Sequence, residues 1–473
     1  MYFLPYFRKG AQNMFPLEKI TGGTINNLLL YISIVGLLLV VASLIRLKVH
    51  FLRKAFIPAS LLAGVIGLAL GPYALKIIPA AMMTSIGALP GSMITIVFSC
   101  MLLGVKKEKT GEYALHDSVT GLLWLWSNSF MQVGVTALLC VVLFIPFFGV
   151  NPLFGSLFEI GFAGGHGTAG GMASLFEDPK LLNWGDGASL APTVATIGLL
   201  IGIFGGMGAI NYGVRKRYTK VLTEPTSGGD SREIYPEGNR EASAKMTVSQ
   251  DVVEPFALHL GVIGIAIIIG RLIVWSFGAI FKYKGLPLFP FAMIGGWLIN
   301  IVIQHTSLHD LFDRATFQRI QGMALEILIV AAMASIKIPV VVEYWMPLLI
   351  ATVIITVFMY FWLFWLSPRV FSHCWFEQGI IRFGAFTGVA AVGYMLLRTS
   401  DPKMETDAGT IYALGCPLMS PFIGGGLVTT MYPYFIKNFG ALVAGLVLCT
   451  ASIALIVVMR LFFWNRTIQK QQR

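Results

Sequence analysis

The chain has 473 residues, of which 56% are hydrophobic and 12% charged, with a formal net charge of +11 and a mean hydropathy of +0.76. Such a balance excludes an ordinary soluble protein, and apolar runs of about 18 residues or more exclude a β-barrel, which would show short alternating segments. The basic residues sit at the ends of apolar runs and not on one clustered face, so the charge reads as a topology signal and not as a nucleic-acid surface.

In chain order, spans are predicted at about Leu28 to Ile45, Ala55 to Ala74, Met82 to Val105, Val119 to Phe148 and Ala188 to Val214. Arg46 and Lys48 follow the first run with no small-residue cleavage pattern, so it reads as a retained span and not a signal peptide. A polar stretch at 215–252, rich in Gly, Ser, Pro and charge, then reads as a linker. A second apolar set follows at about Phe256 to Phe281, Leu286 to Gln304, Ile320 to Val342, Met346 to Leu366, Gly409 to Phe435 and Phe439 to Trp464.

Two segments do not fit that series. Pro152 to Phe176 and Phe376 to Arg398 each offer about 25 residues, where two crossings need about 40. The positive-inside rule places Arg46, Lys48, Arg53 and Lys54, then Lys106, Lys107 and Lys109, then Arg215, Lys216 and Arg217 on the cytoplasmic side. With the N-terminus outside, the count closes if the segment at about 152–176 dips in and returns without crossing. The same count makes the segment at about 376–398 re-enter from the cytoplasm and leaves the C-terminus inside.

The two halves echo each other. FIPASLLAGVIG at Phe56 matches LFPFAMIGGWLI at Leu288, and EIGFAGGHGTAGG at Glu159 matches EQGIIRFGAFTGV at Glu377, whose Thr387 and Gly388 become site candidates. The expected fold is therefore an all-α integral membrane protein of two inverted-topology five-helix repeats, each with a re-entrant hairpin. The repeats fall at 25–214 and 253–437, after an N-terminal extracytoplasmic segment at 1–24 and before an extra C-terminal transmembrane helix and basic tail at 438–473. Inverted halves with glycine-interrupted segments in matching places point to a secondary transporter with its site at the midplane, in a multi-pass inner-membrane protein.

Glycine costs a helix interior about 1 kcal/mol relative to alanine, so the glycines from Gly164 to Gly171 mark a break. A broken helix leaves amide donors at one end and carbonyls at the other, and these suit a substrate carboxylate and a coupling cation. The candidates are Gly164, Gly165, Gly167, Gly170 and the Thr168 hydroxyl, with transported sodium at Thr168 and the hairpin carbonyls; the competing role is close helix packing. His166 is a proton relay, a substrate donor or a packed neutral imidazole. Arg382 either clamps a substrate carboxylate or pairs with Glu377 or Glu159. Gln132 and Asn128 share a face at i, i+4 spacing and, with Glu326, either line a pathway or bridge helices, while Arg271 and Lys337 snorkel near span ends.

At GFAGGHGTAGGMASLF the chain resembles the sodium/glutamate symporter family, and MQVG from Met131 and the polar linker agree with it. The likeness runs from about Arg46 to Lys437 and implies sodium-coupled uptake of glutamate or a related anion, with Gly164, Gly165, His166, Gly167, Thr168 and Gln132 carried over as site residues. FGAFTGVAAVGYMLLRTSDP departs from the family's more glycine-rich stretch, brings in Arg382, and puts glutamate specificity in question. The expected partners are a small anionic substrate, sodium, lipid and, as a candidate, a second copy of the chain; no cofactor and no nucleic acid are expected. A hydroxycarboxylate or other organic-anion symporter and a proton-coupled antiporter are the alternatives. The enzyme class is set aside because HExxH, GxSxG and P-loop patterns are missing from the sequence. The five cysteines show no CxxC spacing, so neither zinc nor a disulfide framework is expected.

Overall fold

Backbone polar groups in lipid must be satisfied internally, and in a computed structural model of the chain every regular element among the described residues is helical. Those residues are 21–54, 57–105, 112–221, 242–243, 245–249, 251–281, 288–401, 405–419 and 421–464. Nearly all of the segment expected at 1–24, most of the linker expected at 215–252 and the tail beyond Trp464 lie outside them.

The first half contains α1 (Gly22–Lys48), the shorter α2 (Ala59–Leu70), α3 (Ala80–Met101), α4 (His116–Phe148), two short helices α5 (Gly165–Gly171) and α6 (Ala173–Glu177), and α7 (Gly187–Arg215). The second contains α8 (Pro255–Phe281), α9 (Leu288–Gln304), α10 (Arg314–Ala334), α11 (Ile338–Glu343), α12 (Trp345–Val370), α13 (Trp375–Ser400), α14 (Ala408–Met419), α15 (Leu427–Phe439) and α16 (Ala441–Phe462). Among the described residues nine helices are long and apolar enough to cross a membrane, while α2 and α9 are apolar but shorter.

The described residues form two compact units. The first draws on Met1–Ser43, Ala63–Lys106 and Pro236–Ala334, and the second on Leu44–Leu62, Lys107–Tyr235 and Ser335–Arg473. In the first, α3, α8, α9 and α10 enclose a cluster that includes Cys100, Leu103, Ile263, Phe317 and Ile320. The carbonyls at and just past the end of α3 run out of i+4 amide partners, and Arg314 supplies donors to them: Nη1 donates to the carbonyls of Cys100 at 2.8 Å and Leu103 at 2.6 Å, and Nη2 to that of Met101 at 3.0 Å. Asp313 caps α10, its carboxylate accepting from the amide and hydroxyl of Thr316 at 2.9 Å.

In the second unit α4 is gripped from two sides. The Ser452 hydroxyl on α16 donates to the Ser127 carbonyl at 2.6 Å, and the Trp362 indole on α12 donates to the Ser127 hydroxyl at 2.9 Å. These bonds fix the rotation of α4 and hence the facing of Asn128, Ser129 and Gln132 in the next turn. Four π-helical segments lie in this unit, at Cys140–Phe144, Glu159–Ala163, Ile201–Gly205 and Trp362–Leu366; such insertions gather at functional places because they re-aim side chains.

Three helices of the second unit are interrupted. The first break is at Gly164 and Gly165, where Gly165 takes a φ of +65°. The second lies inside α13, where Gly388 (φ −148°, ψ 37°) and Val389 (φ 65°, ψ 168°) leave helical geometry. Along a straight helix Gly384 and Gly393 would stand about 13.5 Å apart. Instead a Cβ built on Gly384 would lie 2.7 Å from the Gly393 Cα, so the chain doubles back between them.

The third break corrects the sequence reading. The run from Gly409 to Phe435, expected as one span, is two helices, α14 and α15, joined by a turn at 421–426 in which Gly424 and Gly425 hold φ of +68° and +106°. Three consecutive glycines permit that turn, whereas the surrounding hydropathy conceals it. The run expected from Ile320 to Val342 likewise stops at Ala334, and α11 restarts at Ile338 with Pro339 in its first turn.

Candidate functional site

The first two breaks meet. Gly165 approaches the Val389 side chain so closely that a Cβ at Gly165 would run into Val389 Cγ1. The turn at Thr387 and Gly388 rests on α7 at two glycines: Gly198 faces the Thr387 carbonyl, and a Cβ on Gly202 would lie 2.8 Å from Thr387 Oγ1. Val389 is β-branched and sits at positive φ, a combination that costs on the order of 1–3 kcal/mol and persists where the surroundings enforce it.

Polar groups converge around this contact. Gln132 is fully buried on α4, and its Nε2 donates to the Phe386 carbonyl at 3.0 Å and to Asn128 Oδ1 at 3.0 Å. The Phe386 carbonyl lies at the end of the first arm of α13, where helix carbonyls have run out of amide partners. Thr387 turns its hydroxyl back onto the Phe383 carbonyl at 2.8 Å. His166 Nε2 is 3.0 Å from Thr196 Oγ1, which ties α5 to α7. Gly164 donates its amide to the Glu159 carbonyl at 3.0 Å, while Gly167, Thr168 and Gly170 are buried within α5.

Several buried polar atoms here have no hydrogen-bond partner among the described residues: Thr168 Oγ1, Gln132 Oε1 and Asn128 Nδ2. Buried polar groups are ordinarily satisfied, so unsatisfied donors and acceptors beside two helix breaks make this meeting point the candidate functional site. The second arm of α13 begins next to it, with Ala390 and Ala391 exposed. Free amides at that arm's start favour a carboxylate, and the carbonyl end of the first arm favours a cation.

Arg382 is placed elsewhere along α4. Its Nη1 donates to the Gln378 carbonyl at 2.8 Å, its guanidinium stacks 4.6 Å from the Phe371 ring centroid, and Gly121 on α4 leaves the room it occupies. Gly121 and Gln132 are separated by about 16 Å of helix. The carboxylates weighed as its partners are engaged otherwise: Glu377 Oε1 accepts from the Lys220 amide at 2.7 Å, and Glu159 faces a different group of donors. Lys337 reaches Glu177 at 3.5 Å.

That group around Glu159 was not singled out by sequence. Glu159 is fully buried, and its Oε1 accepts from Ser129 Oγ at 3.0 Å, Thr429 Oγ1 at 2.9 Å and the Gly424 amide at 3.2 Å. Ser129 also lies 2.9 Å from the Tyr432 hydroxyl, and the Gly425 amide donates to Thr429 Oγ1 at 3.0 Å. The available signal was the triplet Gly424 to Gly426 between Pro421 and Thr429, to which the glycine argument applies as well as it does to the first break.

The family model for the sodium/glutamate symporter matches residues 25–375. Among solved structures, a sodium proton antiporter from Methanocaldococcus jannaschii aligns over 91% of this chain and 99% of its own at 15% identity and a TM-score of 0.37. None of the curated proteins matches the chain.

Proposed function

This chain belongs to the sodium/glutamate symporter family, and from that premise we propose that it is a sodium-coupled symporter for glutamate or a related small carboxylate. The membership supports a multi-pass membrane transporter rather than an enzyme. The single observation that carries the finer reading is the contact of Gly165 with Val389, beside which Thr168 Oγ1, Gln132 Oε1 and Asn128 Nδ2 are left without partners.

In the proposed mechanism the substrate carboxylate binds the free amides at the start of the second arm of α13, with Gln132 and Asn128 presenting an amide oxygen and an amide nitrogen to the rest of the molecule. Sodium binds Thr168 Oγ1 and carbonyls at the carboxyl end of the first arm, near Thr387. Arg382 acts by charge and not by contact. It is a fixed cation six residues, about 9 Å of helix, before Gly388. Gly164, Gly167 and Gly170 keep the first tip narrow enough for the second to reach it, and His166 holds that tip to α7.

The proposed topology has two inverted repeats at 25–214 and 253–437, with re-entrant hairpins at about 152–176 and 376–398. The N-terminus lies outside, and the linker at 215–252 and the tail lie in the cytoplasm. The short helices α2, which Pro58 immediately precedes, and α9, which carries the echoed Pro290, support matching roles in the two halves. Alternating access then exposes the two tips to each side in turn. If a monoanion enters with two or more sodium ions, each net positive charge gains about 2.3 kcal/mol per 100 mV of membrane potential.

The test is uptake of labelled glutamate, aspartate, citrate and malate into proteoliposomes under imposed sodium or proton gradients. The expected result is glutamate accumulation that requires sodium and rises with an inside-negative potential. Uptake of citrate or malate in preference to glutamate would shift the substrate class, and uptake indifferent to sodium would remove the mechanism.

A further inference from the structure

Glu159 has a use that the substrate site does not absorb. Its carboxyl group is walled off from solvent, Oε1 is filled by three donors, and Oε2 is buried with no hydrogen-bond partner among the described residues. Nor does a basic side chain among them pair with it. An ionised carboxylate in that position would hold a full charge in a water-poor interior with one oxygen unsolvated, the most costly arrangement for such a group.

The titratable and charged groups on the elements packed around it do not remove that cost. On α15, Tyr432 reaches Glu159 through Ser129, and Lys437, in the last turn, donates to the Leu181 carbonyl. On α5, His166 is directed to Thr196. On α4, Asp117 lies about 18 Å of helix away from Ser129 and accepts from Ser372 and Gln378. On α13, Glu377 accepts from Lys220, Arg382 donates to Gln378, and Arg398 lies in the last turn. On α7, Tyr212 and Arg215 stand in its last turns, more than a dozen residues past the Val194 and Ala195 that face Gly161.

We propose that Glu159 is a proton-binding site of this unit, with the proton on Oε2. A cation such as sodium needs several oxygens, and the hydrogens of Ser129, Thr429 and Gly424 already point at Oε1; a proton needs one oxygen. The turn at 421–426 is the gate. While Gly424 is bonded to Oε1 the carboxyl stays neutral; when the turn withdraws, water reaches Oε2, the proton passes to water, and Ser129 and Thr429 remain to solvate the carboxylate. Return of the turn requires a proton to be taken back from water. The protonation assignment stands on the surroundings of the carboxyl, whereas its consequence for transport, a pH-dependent step in the cycle, rests on the symporter reading.

The experiment is pH-difference infrared spectroscopy of the full chain in lipid, comparing wild type, Glu159→Gln and Glu159→Asp, with thermal melting of each. The expected result is a protonated carboxylic acid band at neutral pH that is lost in Glu159→Gln and shifted in Glu159→Asp, with the melting temperature of Glu159→Gln unchanged, because an amide mimics the neutral acid. If Glu159→Gln does not fold, the wild-type band and its shift in Glu159→Asp decide the matter. A neutral-pH spectrum with no band that depends on Glu159 would overturn the proposal, as would sodium raising the melting temperature through Glu159 in the absence of the band. The band together with absent sodium-driven uptake would uphold the proton site and sink the symporter reading.

Discussion

Gly165 and Val389 both hold positive φ and lie in direct contact, one at each helix break. Neither geometry suits an ordinary side chain, and each limits the other. Gly165→Ala places a Cβ into Val389 Cγ1 while forcing alanine into the left-handed region, at a cost on the order of 1–3 kcal/mol. Sodium-driven uptake should fall at least tenfold and the melting temperature should drop. Adding Val389→Gly removes both the obstructing methyls and the strained valine, so the double variant should recover more stability than the two single effects predict by addition. Strict additivity would show that the two tips do not constrain one another.

Thr168 and Gln132 should respond differently to isosteric replacement. Thr168 Oγ1 has no hydrogen-bond partner in this conformation, so Thr168→Val should leave melting within about 0.5 kcal/mol of wild type. The sodium concentration for half-maximal uptake should nevertheless rise. Gln132→Leu leaves the buried Phe386 carbonyl without its donor and should destabilise by about 1–3 kcal/mol while reducing uptake. Sodium titrations paired with melting curves separate the two effects.

Much of the architecture could be read from residue chemistry. The glycines around His166 mark a break through their cost to a helix interior, and Gly388 is marked by its place opposite them in the second half. The third break was hidden because Gly424 to Gly426 sits inside a run whose mean hydropathy is that of a span, and a sliding apolar window is blind to two positive φ values. In the sequence Glu159 stands out as half of a repeat and not as a buried carboxylate, since its donors come from residues 129, 424 and 429, which only folding brings together. Arg382 reads from the sequence as a carboxylate clamp or as the ion-pair partner of Glu377 or Glu159; its stacking on Phe371 depends on a ring eleven positions upstream, which spacing alone does not reveal.

If Arg382 acts by charge, its lysine variant should retain most uptake and its glutamine variant should lose affinity for the anion. Gly121→Ala should resemble the glutamine variant, because the new methyl occupies the guanidinium's place and displaces the charge without removing it. The measurement is the KM for the anion at fixed sodium. Equal KM values for all three variants would leave Arg382 with a packing role.

Asp313 gives the first unit a pH signature. Burial pushes its carboxyl up, but hydrogen bonds from the Lys245 amide and from Thr316 and Ala315 outweigh that and hold it below the ordinary aspartate value. A depressed folded value means that the cap stabilises fully above about pH 4 and is lost as pH falls through the lower folded value. Asp313→Ala should therefore cost about 0.5–2 kcal/mol at neutral pH. The gap to wild type should close on acidification, as followed by melting in detergent between neutral and strongly acidic pH.

The most direct measurement is thiol labelling of Val389→Cys in a background whose native cysteines are replaced by serine. Residue 389 is half-buried and its neighbour Ala390 is exposed, so a small maleimide can reach it. A ligand site at the meeting of the two breaks predicts that glutamate and sodium together slow the labelling at least tenfold, and that Thr168→Val abolishes the protection. A labelling rate unaffected by any combination of sodium and carboxylate would contradict it.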